Sequence, residues 1–312
     1  MKNTKVEKIL VTGGAGFIGS HLVELLCDRG YKVIVIDRPR PGNKKYTDKR
    51  AKFLQFSLED TDAVESVLDG VDLVMHLAAS SIIGSSYLHP LEYFENNLMN
   101  GIKLLEAMKK KGVKKIIYSS TSSVYGQQKR TPIKENAPKN PLSIYAASKL
   151  AFEEVLLPYY YSFGIESVTL RYFNVYGPRD EQKPRTRAIP MWIESILDNQ
   201  PISWYWQGKQ VRDYVYVKDI AQAHLDVLPL KGIHYFNIGS GEGVVMKNIL
   251  KTLEKIVGKK IKTVDVGKRK GDPMKSYADI TKIKKEVGWI PKTSLEDGLK
   301  KTLDYYKRTH RA

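Results

Sequence analysis

The chain has 312 residues, 42% hydrophobic and 27% charged, a globular balance that excludes a disordered or collagen-like chain. Its one cysteine, Cys27, excludes an internal disulfide and a cysteine-clustered zinc site, and no apolar run reaches the roughly 18 residues of a membrane span. Lysine and arginine exceed aspartate and glutamate by 17, which suits anionic partners; yet the 18 basic and 8 acidic side chains of residues 251–312 are spread along helix-like segments, as on a solvated face. Met1 to Lys8 is charged and runs directly into a strand, unlike a secretory signal, so a cytoplasmic protein is expected.

In chain order, short β-branched runs at Lys8 to Thr12, Lys32 to Ile36, Leu73 to Leu77, Lys115 to Ser119 and Glu166 to Leu170 predict strands. Helical patterns lie between them, at Ser20 to Arg29, Asp62 to Leu68, Leu91 to Lys111 and Ser143 to Phe163. Strands that are apolar on both faces and alternate with helices predict an α/β fold with a doubly wound parallel sheet of the Rossmann type. After about residue 172 the rhythm breaks into a Pro- and Arg-containing stretch, short strands and amphipathic helices near 191–199, 245–257 and 295–308. The expectation is a first domain over 1–172, to which about 214–230 returns, and a smaller α/β domain over 173–312.

The first strand runs into Gly13-Gly14-Ala15-Gly16-Phe17-Ile18-Gly19 and then a helix. Glycines allow a tight turn and close backbone approach to a pyrophosphate, and the helix start offers free amides, so this strand, loop and helix predict dinucleotide binding. The second strand ends in Asp37, 18 residues past Gly19, where a carboxylate suits an adenosine ribose 2′-hydroxyl and favours NAD; neighbouring Arg38 and Arg40 leave NADP open. Asp60 is placed either to meet the adenine amino group or to cap a helix. Tyr145 and Lys149 share a helix face, but Tyr125, Tyr205 and Tyr214 also stand four residues before a lysine. Context selects Tyr145: it opens a helix after a loop with Pro138 and Pro141, and it follows a strand that ends in hydroxyls from Ser119 to Ser123.

These residues resemble the extended short-chain dehydrogenase/reductases, in the NAD-dependent nucleotide-sugar epimerase/dehydratase branch, over essentially the whole chain. The resemblance rests on TGGAGFIGSHL (12–22), HLAA (76–79), Asn97, YSSTSSVYG (118–126), YAASK (145–149), LRYFNVYGPR (170–179), RDYVYVKD (212–219), NIGSG (237–241) and GDPMKSYAD (271–279) before GW (288–289). It implies that Tyr145 is the general base, a phenol of ordinary pKa about 10 drawn toward neutrality by Lys149 and the nicotinamide ring. Lys149 would also hold the nicotinamide ribose, and Thr121 would bond the reacting sugar oxygen. The cofactor site it implies comprises Gly13, Gly16, Phe17, Ile18, Gly19, Asp37, Asp60, Leu77, Ala78, Ala79, Asn97, Ser119, Tyr145, Lys149 and Tyr172.

The reaction implied removes the C4 hydroxyl proton with hydride transfer to NAD, then returns hydride to the other face of a 4-keto sugar, with no metal. Ser122 and Ser123 stand where dehydratases carry acidic residues after the catalytic Thr, so epimerisation survives the comparison and dehydration does not. On the substrate side the resemblance implies Asn174, Arg212 and Arg269 at the diphosphate, Asp272 at the nucleotide ribose, and Ser85 with Ser86 near the hexose. Ser276 is small where a Tyr would obstruct a C2 substituent, so UDP-N-acetylhexosamines are expected beside UDP-glucose and UDP-galactose. Arg185 and Arg187 keep a sugar carboxylate, and hence UDP-glucuronate, open. Trp204-Tyr205-Trp206-Gln207-Gly208 replaces a common Gly-Asp-Gly turn and offers an aromatic wall for a base or for the core. A catalytically silent NAD-binding scaffold is the competing class, opposed by the intact Thr121, Tyr145 and Lys149. No nucleic-acid motif accompanies the basic charge. The family commonly pairs as homodimers through helices corresponding to Leu91 to Lys111 and Ser143 to Phe163.

Overall fold

A computed structural model describes residues 6–39, 43–181, 185–267 and 273–310. Its strands in chain order are β1 (Lys8–Thr12), β2 (Lys32–Asp37), β3 (Lys52–Gln55), β4 (Leu73–His76), β5 (Lys115–Thr121), β6 (Glu166–Tyr172), β7 (Asn174–Tyr176), β8 (Ile202–Trp204), β9 (Val211–Arg212), β10 (Tyr214–Tyr216), β11 (Ile233–Ile238), β12 (Val244–Val245), β13 (Thr263–Asp265) and β14 (Lys275–Ser276).

The main sheet has seven strands in the order β11-β6-β5-β4-β1-β2-β3. β1 runs parallel to both β2 and β4, with Thr12 opposite Ile36 on one side and His76 on the other. The central strands are apolar because both faces are covered: Ile9, Leu10 and Val11 are fully buried, as are Val74, Ile116 and Ile117. Strand order reverses between β1 and β4, so the loops leaving those two strands meet at the switch point on the carboxyl edge of the sheet. This is the expected Rossmann-type α/β fold, in which the helices Phe17–Asp28, Thr61–Val67, Asn100–Lys111 and Ile144–Phe163 connect the strands.

The helix Ile144–Phe163 starts where Ser143 accepts the Ala146 N–H at 3.1 Å, and it ends at Gly164, whose φ of +68° only glycine adopts cheaply. Its Phe152 and Leu156 join Leu10, Ile36, Leu105 and Ile116 in the core cluster. The helix expected over Leu91 to Lys111 is instead three pieces: Pro90–Phe94, a π-helical turn Glu95–Met99, and Asn100–Lys111. A buried Asn97 at the centre of that turn marks the place where side-chain bonding overrides the 3.6-residue repeat.

Two compact units emerge. The first holds the chain up to Val124, Pro141–Arg171 and Ala221–Phe236; the second holds Tyr125–Asn140, Tyr172–Ile220 and the chain from Asn237 onward. The stretch that rejoins the first unit therefore begins later than the expected 214–230, and 125–140 packs with the second. Small sheets organise the second unit: β7 with β10, β8 with β13, and β9 between β12 and β14. Among the described residues no helix is long and apolar enough to cross a membrane.

Candidate active site

The glycine loop is shaped by steric need. Gly13 sits at φ +72°, and a Cβ there would lie 2.7 Å from the Ala78 backbone nitrogen, so no larger residue fits. A Cβ on Gly19 would collide with the Gly13 carbonyl oxygen, which lets the helix Phe17–Asp28 begin hard against the loop. Gly16 caps that helix without a side chain, leaving the amide end uncovered. Thr12 ties the two loops: its carbonyl accepts the Leu77 N–H at 3.0 Å, and its hydroxyl accepts the Ala78 N–H at 3.3 Å. Asp37, 7% exposed at the end of β2, accepts the Ala15 N–H at 3.0 Å. A helix start with no side-chain cap, glycines without Cβ atoms and a held carboxylate form a cradle that fits a dinucleotide pyrophosphate and its adenosine ribose.

Tyr145 is the second residue of the helix Ile144–Phe163, half-buried, and Lys149 follows one turn later at 2% exposure. The Lys149 ammonium lies 4.3 Å from the centroid of the Tyr118 ring, and the Tyr118 hydroxyl donates to the Lys149 carbonyl at 3.3 Å. Burial draws the Lys149 ammonium down to about 7, opposed by the Glu153 carboxylate. The same burial, with Lys149 nearby, holds His76 to about 3, so its imidazole is neutral; its Nδ1 shares a proton with Thr12 Oγ1 across 2.7 Å. Thr121 closes β5 at 8% exposure, where its hydroxyl accepts the Ser123 N–H at 3.1 Å and donates to Ser123 Oγ at 3.2 Å. A hydroxyl, a phenol and a buried amine on adjoining elements can move a proton on and off a substrate alcohol.

Other expected positions have more local duties. Asp60 is exposed and caps the helix Thr61–Val67, its Oδ1 accepting the Ala63 N–H at 3.1 Å. Asn97 is 1% exposed; its amide donates to Ser80 O and Ser148 Oγ, both at 3.0 Å, while its Oδ1 accepts the Ser80 N–H at 2.7 Å. Its amide protons are thus committed within the chain, and it ties the Leu77–Ser80 segment to the helix of Tyr145. Ser119 donates to the His76 carbonyl at 3.1 Å, and Ser86 is fully buried with its hydroxyl on Ile83 O at 2.7 Å. Ser85 bonds the Tyr93 phenol, which also donates to Ile82 O at 2.6 Å. Phe17, Ile18 and Ala79 are half-buried beside the loop, and Tyr172 is buried at the end of β6.

Within the second unit, pairing of β9 with β14 sets Arg212 opposite Ser276. Pairing of β7 with β10 brings in Asn174, whose side chain donates to Asp213 O at 2.9 Å. Asn174, Arg212 and Ser276 are all half-buried. Asp213, which the sequence did not single out, is the hub: its carboxylate accepts from Ser240 N at 2.5 Å, Ser240 Oγ at 2.8 Å, Gly241 N at 3.1 Å and Ala278 N at 3.0 Å. Arg269, Asp272 and Arg40 lie outside the described residues. Arg185 is bound to Glu194 at 2.9 Å, and Arg187 to Asp180 at 2.6 Å. In the aromatic stretch, a Cβ on Gly208 would press the Trp204 ring at 2.7 Å, whereas Tyr205 is 38% exposed.

Known proteins match this arrangement along its length. The model of the NAD dependent epimerase/dehydratase family matches residues 9–239. A putative UDP-glucose 4-epimerase of Methanocaldococcus jannaschii is 36% identical over 305 residues, 97% of this chain and 99% of that protein. The crystal structure of a UDP-glucose 4-epimerase from Thermotoga maritima with UDP-glucose superposes with a TM-score of 0.93 at 38% identity, covering 97% of this chain and 99% of that one. A UDP-N-acetylglucosamine 4-epimerase from Methanobrevibacter ruminantium, in complex with UDP-N-acetylmuramic acid, gives 0.92 at 34% identity, covering 98% and 100%.

Proposed function

The chain belongs to the NAD-dependent epimerase/dehydratase family, and we propose that it is a 4-epimerase of UDP-hexoses, interconverting UDP-glucose with UDP-galactose and the corresponding N-acetylhexosamines. NAD is its cofactor, and when bound it would supply the hydride acceptor and donor for C4 of the sugar. The observation that carries the reading is the single helical turn from Tyr145 to the buried Lys149, beside a β5 that ends in Thr121.

In this reading Thr121 holds the C4 hydroxyl and Tyr145 takes its proton as the alcohol becomes a ketone. Lys149 supports the phenolate and the nicotinamide ribose from a site that excludes water. Tyr145 then returns the proton after the 4-keto sugar has turned its opposite face, so C4 comes back inverted. The start of the helix Phe17–Asp28, brought against the loop by Gly13, Gly16 and Gly19, offers the pyrophosphate its backbone amides, and Asp37 takes the ribose hydroxyls. Asn174, Arg212, Arg269 and Asp272 are assigned by the family resemblance to the diphosphate and nucleotide ribose, with Ser276 leaving room at C2. Ser122 and Ser123, without a carboxylate, support epimerisation over dehydration. Arg185 and Arg187 are already paired with acidic side chains, which disfavours the glucuronate reading. The active form in this reading is a homodimer.

Incubation of the purified protein with UDP-glucose, UDP-N-acetylglucosamine and UDP-glucuronate, followed by sugar analysis, tests the assignment. The first two are expected to be converted at C4. Tyr145→Phe is expected to lower turnover about a thousandfold, as loss of a general base does; undiminished turnover sinks the assigned base. Ser276→Tyr is expected to remove the N-acetyl activity selectively, and equal loss on both sugars counts against the C2 gate.

A further inference from the structure

The helix Ile144–Phe163 carries a third polar side chain in phase with Tyr145 and Lys149. Glu153 is fully buried, and it is met from β6 by Arg171, itself 2% exposed. Arg171 Nε approaches both carboxylate oxygens, at 3.2 and 3.1 Å, and a terminal nitrogen donates to Oε2 at 2.7 Å. Ser120, the residue before Thr121 on β5, donates its hydroxyl to Glu153 Oε1. The guanidinium in turn covers the Tyr235 ring of β11 at 5.0 Å. One carboxylate therefore joins three neighbouring strands to the helix that carries the phenol and the amine.

A fully buried ion pair is an expensive way to fasten a helix, since apolar side chains of the same volume usually serve stability as well. Its placement suggests a different use. Glu153 stands one turn beyond Lys149, with Arg171 reaching it from β6. The groups facing Lys149 from other elements are the neutral His76 of β4 and the Tyr118 ring of β5, and neither carries a compensating negative charge. Among these neighbours, Glu153 is the group whose charge favours the ammonium against the desolvation that opposes it.

We propose that Glu153, fixed by Arg171 and Ser120, is a positioning residue that favours the protonated form of Lys149 and holds the Thr121 end of β5 in register with Tyr145. Fully buried, it presents no surface to substrate or cofactor. The role rests on the epimerase reading for its effect on turnover, but its effect on Lys149 is independent of which sugar is used.

The test is Glu153→Gln, which preserves shape and acceptor oxygen while removing the charge. One unit charge a helical turn away at an effective dielectric near 20 moves a neighbour by about one pKa unit. The inflection in NAD⁺ affinity against pH, read by calorimetry, is expected to fall by that amount, and the alkaline limb of kcat to move with it while KM stays within about twofold. Glu153→Asp, which keeps the charge, is expected to restore the inflection even if turnover recovers only in part. Should Glu153→Gln fold poorly, the double variant Glu153→Leu with Arg171→Met removes the pair without stranding a charge, and a smaller downward shift is expected, because the Arg171 cation leaves with the carboxylate. An inflection that stays in place in the charge-free variants, or one that Asp does not restore, overturns the proposal. If no UDP-sugar is epimerised, the calorimetric arm still decides the role of Glu153, so the two failures are distinguishable.

Discussion

At the residue scale the central fact is a lysine buried at the expense of stability. Lys149 titrates at about 7 in the folded chain against 10.5 when solvated, so folding strips it of a proton it would otherwise keep between those values. A folded-state pKa below the unfolded one means stability that is complete above the unfolded value and is lost as pH falls toward the folded one. At neutral pH the protein therefore carries most of the penalty. Lys149→Met should raise stability by about 2 kcal/mol near pH 7, less than the full shift implies because buried charges draw in water and relax their surroundings. The same variant should abolish turnover. Denaturant melts of both proteins across pH provide the check: the gap should be widest below pH 7 and close as pH rises toward 10.5. A variant less stable than the parent would mean that the amine contributes packing or bonds that outweigh its desolvation.

At the scale of single elements, the π-helical turn Glu95–Met99 shows how local irregularity serves the site. The extra residue in the turn presents Asn97 to Ser80 and Ser148, and Ser148 Oγ donates onward to the Tyr145 carbonyl at 2.9 Å. This chain of bonds runs from the loop after β4 to the residue assigned as base. Asn97→Asp keeps the size but sets an acceptor against the Ser80 carbonyl, at an expected cost of about 2 kcal/mol. Hydrogen exchange should quicken at 95–99 and at the start of the helix Ile144–Phe163, with the core strands unchanged; uniform protection across the chain would refute the tie. The turn also marks a limit of reading from sequence. The strands and the glycine loop were legible because a strand buried on both faces must be an unbroken apolar run, and a tight turn against a neighbouring backbone must be glycine. The break in Leu91 to Lys111 was not, because the hydrophobic repeat continues through it and only tertiary bonds to Asn97 open the extra turn. Glu153 and Asp213 escaped for the same reason: their partners lie on segments distant in sequence, and an acid in helical phase with Lys149 looks like any solvated acid until its burial is known.

Across the whole molecule, the distribution of exposed apolar surface argues for self-association. Every exposed large apolar side chain among the described residues of the first unit falls within 87–99 or 142–163, including Leu88 at 76% exposure, Leu91 at 69% and Tyr161 at 78%. Such side chains are normal when scattered singly, but confinement to two adjoining helical segments is the pattern of a surface covered in use. The sequence alone showed only apolar stripes, which core packing explains equally well; the structure divides each stripe into a buried side, with Phe152 and Leu156, and an exposed one, with Leu157 and Tyr161. An isologous pairing of this face with itself needs no second surface and closes as a dimer. Sedimentation velocity at micromolar concentration is expected to give a mass of two chains for the parent and of one for Leu91→Glu combined with Tyr161→Glu. Both positions are exposed, so the charges should leave the fold and the far-UV spectrum of each chain intact. A parent that sediments as a single chain would remove the homodimer from the proposed function while leaving the chemistry of Tyr145 and Lys149 untouched, because each of those side chains is held by elements of its own unit.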